Sequence, residues 1–122
     1  MRIMSEATLN TRETRPWGFY TVIAQGEGFL VKIIHVNPGQ KLSVQSHNHR
    51  SEHWVVLSGT AKVLLEDKEH ILKPDQSIHI PVKAIHSLQN PFEEDIEIIE
   101  VQRGGILDEE DIIRYEDIYG RV

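Results

Sequence analysis

The chain has 122 residues, of which 39% are hydrophobic and 26% charged, a balance typical of one folded domain and not of a disordered segment. Nineteen acidic residues outnumber 13 lysine and arginine residues, and the net charge of −6 argues against a nucleic-acid partner, although local basic groups can still bind an anionic small molecule. Cysteine is absent, which excludes disulfides and thiolate metal sites, so any metal must bind nitrogen and oxygen atoms, among them those of seven histidines.

The N-terminal residues 1–6 lack the apolar run of a signal peptide. No other segment approaches the roughly 20 consecutive apolar residues that a membrane helix needs. The sequence therefore predicts a cytoplasmic protein without a membrane partner.

Residues 1–14 are polar and aperiodic, which predicts an N-terminal arm or an added strand, followed by one domain over residues 15–122. From position 20 onward, short β-branched runs alternate with turn sequences such as Asn37-Pro38-Gly39 and Ser58-Gly59. About nine strands are predicted, over residues 20–23, 29–36, 41–46, 54–57, 60–65, 69–72, 77–81, 86–89 and 96–101. Many short strands at this spacing favour an all-β sandwich or a closed jelly-roll barrel.

One short helical turn is predicted near the C-terminal end. The acidic residues 108–111 suit the first turn of a helix, because the helix dipole favours negative charge there, and Ile112 and Ile113 follow them. We therefore expect an all-β fold with a short C-terminal helical turn.

Candidate metal ligands are densest between Gln45 and His53. Because alternate side chains of a strand share a face, Gln45 and His47 could converge on one ion, and His49 would continue that face if the strand persists. Glu52 would approach from beyond a short bend. The alternative is a solvated, histidine-rich turn.

The spacing of this segment resembles the first motif of the cupin superfamily, a family of small β-barrels. The chain reads Gly39, five residues, Gln45-Ser46-His47, four residues, Glu52, six residues and Gly59. A second cupin motif is matched by Pro81, His86 and Asn90, whereas Asp75 and Lys83 stand where that motif has glycine. The resemblance implies a cupin double-stranded β-helix, and the turns near Asp75 and Lys83 are expected to differ in shape.

By the same resemblance, one divalent metal ion is expected to bind to Gln45, His47, Glu52 and His86. General cupins have a histidine where this chain has Gln45, so the implied donors are two imidazoles, one carboxylate and one amide oxygen. This set suits zinc first, with manganese, cobalt and nickel as alternatives.

From Arg15 to Arg121 the chain also resembles the C-terminal cupin domain of type II mannose-6-phosphate isomerases, which is often fused to mannose-1-phosphate guanylyltransferase. The resemblance is carried by Arg15-Pro16-Trp17-Gly18, residues 45–54, Ser58-Gly59-Thr60-Ala61, Gln76-Ser77 and Tyr119-Gly120-Arg121. It implies a metal-dependent isomerase that interconverts mannose 6-phosphate and fructose 6-phosphate through an enediol. No Gly-rich nucleotide-binding segment precedes the barrel, so guanylyl transfer is not predicted.

The base that moves the proton is predicted to be His49, the histidine left over on the ligand face. Its alternative role is that of a fifth metal ligand or of a hydrogen-bond partner that supports the metal site. The resemblance gives Arg50 a catalytic or phosphate-binding role, against the alternative of a surface salt bridge. Lys32 shares a strand face with Leu30 and Ile34, and it becomes a phosphate-binding residue if that face is interior.

Trp17 and Trp54 are predicted to lie in the core, and Glu100 stays unassigned because isoleucine occupies both faces of its strand. Two other functions stay open. One is a non-catalytic, metal-containing cupin that binds a sugar or sugar phosphate; the other is a metal-dependent oxygenase, which Gln45 disfavours. The expected partners are a small sugar phosphate and, because small barrels expose strand edges, a second copy of the chain in a homodimer.

Overall fold

Strands make up most of the part of the chain that this computed structural model describes, residues 8–107 and 111–120. Eleven strands lie in these ranges: β1 Arg12–Arg15, β2 Gly18–Gly26, β3 Phe29–Val36, β4 Val44–Ser46, β5 Arg50–Ser58, β6 Ala61–Leu65, β7 Lys68–Leu72, β8 Ser77–Ile80, β9 His86–Gln89, β10 Ile96–Gly104 and β11 Ile113–Glu116. The predicted all-β fold is confirmed. Strand β11 was not predicted, and β1 begins within the predicted N-terminal arm.

The strands form two antiparallel sheets that enclose one interior. One sheet has the order β1-β2-β3-β10-β5-β8, and the other has the order β11-β4-β9-β6-β7. The apolar core draws on both sheets, since Val56 and Ile98 of the first pack in the same cluster as Val63 and Leu88 of the second. The predicted homodimer remains a prediction.

Strands β5 and β10, which are neighbours in the larger sheet, are apolar at one end and polar at the other. The buried, inward-facing residues of β5 are Arg50, Glu52, Trp54 and Val56, and those of β10 are Ile96, Ile98, Glu100 and Gln102. The antiparallel register pairs Val56 with Ile98 and Glu52 with Gln102. The interior therefore divides into an apolar core and a polar end, and the polar end holds the candidate site.

The two non-glycine residues in the second cupin motif keep a glycine-like backbone. Asp75 has a φ of 73° and Lys83 a φ of 70°. Both angles lie in the left-handed region, which residues other than glycine rarely adopt. These turns were expected to differ in shape from glycine turns, and for the φ angles of Asp75 and Lys83 that expectation is wrong. The turn at Lys83 also supports the site, because its amide donates a 2.7 Å hydrogen bond to the carbonyl of His47.

Of the predicted helical turn over residues 108–111, only Asp111 lies within the described residues; residues 108–110 lie outside them. Ile113 begins a β-strand. In the described ranges, we find no helix with the length and apolar character needed to cross a membrane.

Replacing Lys83 with glycine is expected to stabilise the protein by roughly 0.5–1 kcal/mol. The free energy gained by relieving the strain of a left-handed non-glycine residue exceeds the free energy lost because glycine gives up more backbone entropy on folding. The amide that bonds to His47 is retained. Urea denaturation would measure the change, with Lys68→Gly in β7 as the control that should lose stability. Equal losses in the two variants would contradict the argument from strain.

Candidate functional site

Three buried side chains bring their metal-binding atoms together at the polar end of the barrel. His47 follows β4, Glu52 lies on β5 and His86 begins β9, and their ligand atoms all lie within 4.8 Å of one another. His47 Nε2 is 3.1 Å from Glu52 Oε2, and His86 Nε2 is 3.7 Å from Glu52 Oε1. Bonds of about 2.0–2.2 Å to one divalent ion can span these separations. We call these three residues the metal cluster.

Hydrogen bonds orient both histidines of the metal cluster. His47 Nδ1 donates to the carbonyl of Asp111, and His86 Nδ1 donates to the carbonyl of Ala84, each at 2.9 Å. Because a carbonyl can only accept, each Nδ1 carries a hydrogen and each Nε2 faces the cluster. Burial lowers the pKa of His86 despite the opposing charge of Glu52, which favours the neutral imidazole that a metal binds.

Gln45, the fourth predicted ligand, lies beside the metal cluster. It is half-buried, lines the same pocket and pairs with His86 in the β4–β9 ladder. Its Nε2 donates to Ser43 Oγ at 3.2 Å, which leaves the amide oxygen as the atom able to serve as a ligand. The ligand role of Gln45 stays a prediction.

Glu52 and Glu100 are two buried carboxyl groups that share one donor, Trp54 Nε1, at 3.1 Å and 3.2 Å. Burial opposes the ionisation of Glu52, but its side-chain contacts with Glu100 and His47 and the charge of Arg50 outweigh it and hold its pKa well below the usual value. Burial, together with the charge of Glu52, raises the pKa of Glu100 to about 8. At neutral pH the pair therefore carries one negative charge and one proton.

Arg50 forms a buried ion pair and not the surface salt bridge considered from the sequence. Its Nε and Nη2 donate to Glu52 Oε2 at 2.9 Å and 2.8 Å, and Nη2 lies 3.3 Å from His47 Nε2. The side chain is 5% exposed and lines the pocket. Its catalytic or phosphate-binding role stays a prediction.

His49, the predicted base, lies outside the metal cluster. Strand β4 ends at Ser46, so the alternation that would place His49 beside His47 does not continue. Its side chain is 54% exposed, and its Nδ1 lies 2.9 Å from Asp111 Oδ1. His53 is exposed, and its ring contacts that of His79.

Beside the metal cluster a pocket opens between the two sheets, with ≈ 630 Å³ of space including its mouth. Its lining includes four basic residues, Arg15, Lys32, Arg50 and Arg114. Lys32 is therefore on the interior face: its Nζ lies 4.1 Å from the centroid of the Tyr20 ring, and Arg15 Nη2 donates to the Tyr20 hydroxyl at 3.1 Å.

Trp17 and Trp54 are both buried in the core as predicted, and they also line the pocket. Sequence reasoning assigned no role to Arg15 or Arg114. Arg15 stood in a segment that carried the family resemblance, which was its only signal, and Arg114 lies on a strand that was not predicted.

The role of Asp111 was also not predicted. This residue holds the loop at residues 47–49 in place. Its carboxylate accepts hydrogen bonds from the amides of Asn48 and His49 at 3.2 Å and 2.9 Å, while its carbonyl orients His47. Burial opposes ionisation, but the hydrogen bonds from His49 and Asn48 outweigh it and lower the pKa of Asp111.

Comparison with known proteins places these features in a family. The family model described as Mannose-6-phosphate isomerase C-terminal matches residues 4–117. The xanthan biosynthesis protein XanB of Xanthomonas campestris and the alginate biosynthesis protein AlgA of Pseudomonas aeruginosa are each 50% identical over 117 residues, 96% of this chain but 25% and 24% of those proteins. The Escherichia coli mannose-1-phosphate guanylyltransferase is 49% identical over 108 residues, 88% of this chain and 23% of that protein. The resemblance predicted from the motifs is confirmed.

Solved structures agree on the fold. CapF, a capsular polysaccharide assembling protein of Staphylococcus aureus, superimposes with a TM-score of 0.76 at 19% identity, over 88% of this chain and 34% of CapF. A double-stranded β-helix protein of Klebsiella pneumoniae superimposes with a TM-score of 0.73 at 20% identity, over 88% of this chain and 86% of that protein. The chain is thus similar to cupin barrels, as predicted.

The predicted interconversion of mannose 6-phosphate and fructose 6-phosphate is wrong. The relatives at about half identity are named for guanylyl transfer and for xanthan and alginate biosynthesis, and not for isomerisation. Because guanylyltransferase is the name of an enzyme, the comparison shows that the chain has enzymes among its relatives. It does not support isomerase activity. The chain spans about a quarter of the length of these curated relatives.

Replacing His86 with alanine is expected to weaken zinc binding by more than about 100-fold, because loss of a ligand exceeds the 10–100-fold effect typical of groups that only orient one. Titration calorimetry of the metal-free protein would measure the change. His79→Ala, which removes an exposed histidine, is the matched control and should bind zinc like the unmodified protein. Unchanged affinity in His86→Ala would exclude His86 as a ligand.

Glu100→Gln is expected to remove a pH dependence of stability. The pKa of Glu100 rises from its ordinary 4.5 to about 8 on folding, so between these values the folded state holds the extra proton. The free energy of unfolding then falls as pH rises, by up to about 1.4 kcal/mol per pH unit.

Urea denaturation from about pH 5.5 to about 7.5, with a chelator present, should show Glu100→Gln gaining stability over the unmodified protein as pH rises. Glu93→Gln, at an exposed position, is the control and should track the unmodified protein. A difference between Glu100→Gln and the unmodified protein that stays constant across this range would mean that Glu100 takes up no proton on folding.

Proposed function

The chain belongs to the family described as Mannose-6-phosphate isomerase C-terminal, and from this premise we propose that it is a metal-dependent domain that binds a phosphorylated hexose of the mannose type. One observation carries the proposal: two residues of the metal cluster, Glu52 and His86, line one pocket together with four basic side chains. A metal ion suits the hydroxyl and carbonyl oxygens of a sugar, and basic side chains suit its phosphate.

The proposed metal is zinc, bound by His47, Glu52 and His86 with Gln45 as the fourth ligand. The imidazole and carboxylate donors and the hydrogen-bonded Nδ1 atoms of both histidines support this choice. When bound, such an ion acts as a Lewis acid toward sugar oxygens. Manganese, cobalt and nickel accept the same donors.

The charge distribution supports an anionic ligand. The chain as a whole has a net charge of −6, yet four of its cationic side chains line this pocket. Arg50 pairs with Glu52, and Arg15 and Lys32 lie against the side chain of Tyr20. Partly desolvated cations strengthen the attraction to a phosphate dianion.

The comparisons suggest which phosphorylated sugars bind in this pocket. The name of the Escherichia coli relative includes mannose 1-phosphate, and the family description includes mannose 6-phosphate. Both compounds are therefore proposed ligands of this domain, with no reaction assigned to it.

The test is thermal unfolding of the zinc-loaded and metal-free protein with mannose 1-phosphate, mannose 6-phosphate or mannose. A ligand present at 100 times its Kd stabilises the folded state by about 2.7 kcal/mol, which raises the Tm of a domain of this size by several degrees. We expect this shift for at least one phosphorylated sugar, and only with zinc bound.

Lys32→Met should reduce that shift, because it removes a pocket cation and keeps the length of the side chain. Lys62→Met is the control, since Lys62 pairs with Glu69 on another part of the surface. If the folded, zinc-loaded protein shows no shift with either phosphorylated sugar, the proposed function fails.

A further inference from the structure

We propose that Arg114 of β11 anchors the phosphate group of the ligand, an inference that rests on the proposed function and names the residue responsible for phosphate recognition. Arg114 is the Cα partner of Gln45 in the β4–β11 ladder, and Gln45 pairs with His86 on the next strand. Directly opposed residues in a ladder project to the same face of the sheet. Arg114 and Gln45 accordingly line the pocket together.

Arg114 offers a hydrogen-bond donor that the described part of the chain does not satisfy. Its Nε atom is buried and has no hydrogen-bond partner among residues 8–107 and 111–120. Native proteins rarely leave a buried donor unpaired. A guanidinium binds phosphate through two parallel N–H···O bonds, so a phosphate oxygen in the pocket is the acceptor that this donor requires.

The other basic residues of the pocket contact protein groups that account for their positions. Arg50 binds Glu52 through both Nε and Nη2. Arg15 donates to the hydroxyl of Tyr20, and Lys32 lies over the ring of the same tyrosine. Among the pocket cations in the described ranges, Arg114 is thus distinguished by a buried N–H group without an acceptor.

Contacts on both sides of Arg114 fix its strand. Asp111 binds the loop at residues 47–49, and the Tyr115 hydroxyl lies 2.9 Å from Ser46 Oγ. The ladder is irregular between Arg114 and Glu116, and such bulges redirect side chains next to binding sites. Because protein contacts hold the backbone at Arg114, anchoring a phosphate there needs little additional ordering.

The first experiment titrates inorganic phosphate into the zinc-loaded, ¹⁵N-labelled protein and follows the Nε–Hε resonances of arginine side chains by NMR. The Arg114 resonance is identified by its absence in Arg114→Lys. We expect it to shift saturably, whereas the resonance of Arg103, which is exposed on β10, should not. No shift at Arg114, or equal shifts at both residues, would overturn the inference.

The second experiment measures the affinity of the zinc-loaded protein for mannose 6-phosphate by calorimetry. Arg114→Gln should weaken binding by about tenfold or more, as expected for loss of charge-assisted hydrogen bonds, with partial recovery in Arg114→Lys. Arg103→Gln is the matched control. Zinc stoichiometry should stay unchanged in every variant, which shows that each one folds and retains the metal site.

The two proposals fail in different ways. If inorganic phosphate shifts Arg114 but no phosphorylated sugar binds, the anion site stands and the proposed function falls. If a phosphorylated sugar binds equally well to Arg114→Gln and to the unmodified protein, the proposed function stands and the role of Arg114 is overturned.

Discussion

A single ionised carboxylate inside the barrel determines how its polar end is built. Glu52 is 2% exposed, and a charge buried to that degree is tolerated only when it is paired and hydrogen-bonded. Arg50 and His47 contact one of its oxygens, and Trp54 donates to the other. Glu100, the nearest acidic group, keeps its proton. These partners form one network, and a metal ion would bind to the same carboxylate.

The antiparallel register brings this network and the apolar core into one barrel. The same strands contribute to both, since β5 places Val56 in the core and Glu52 in the site, and β10 does the same with Ile98 and Glu100. The hydrophobic end provides the burial that stabilises the fold. It also excludes water from one side of the polar network, which strengthens the electrostatic interactions there.

Local patterns in the sequence predicted the fold because strand alternation and turn residues depend on near neighbours. The same patterns brought His47 and Glu52 together, and the resemblance to the cupin motifs added His86. They failed for His49, where a turn interrupts the strand, and for the φ angles of Asp75 and Lys83, where tertiary contacts override residue preference.

Asp111 and Arg114 reach the site through a pairing between distant parts of the chain, which no local pattern reports. The reaction was mispredicted for a related reason. The spacing of a motif indicates the barrel fold and the candidate metal ligands. It does not indicate the reaction, because related chains can use the same barrel in proteins with other activities. The separation of 64 residues between His47 and Asp111 also bears on the order of folding. Hairpins such as β2–β3 can close soon after synthesis, but the loop at residues 47–49 gains its Asp111 contacts only after a long loop has closed, and such non-local contacts slow folding. The barrel can therefore assemble around a loop that is still loosely held, and we expect the site to become ordered in one of the last steps.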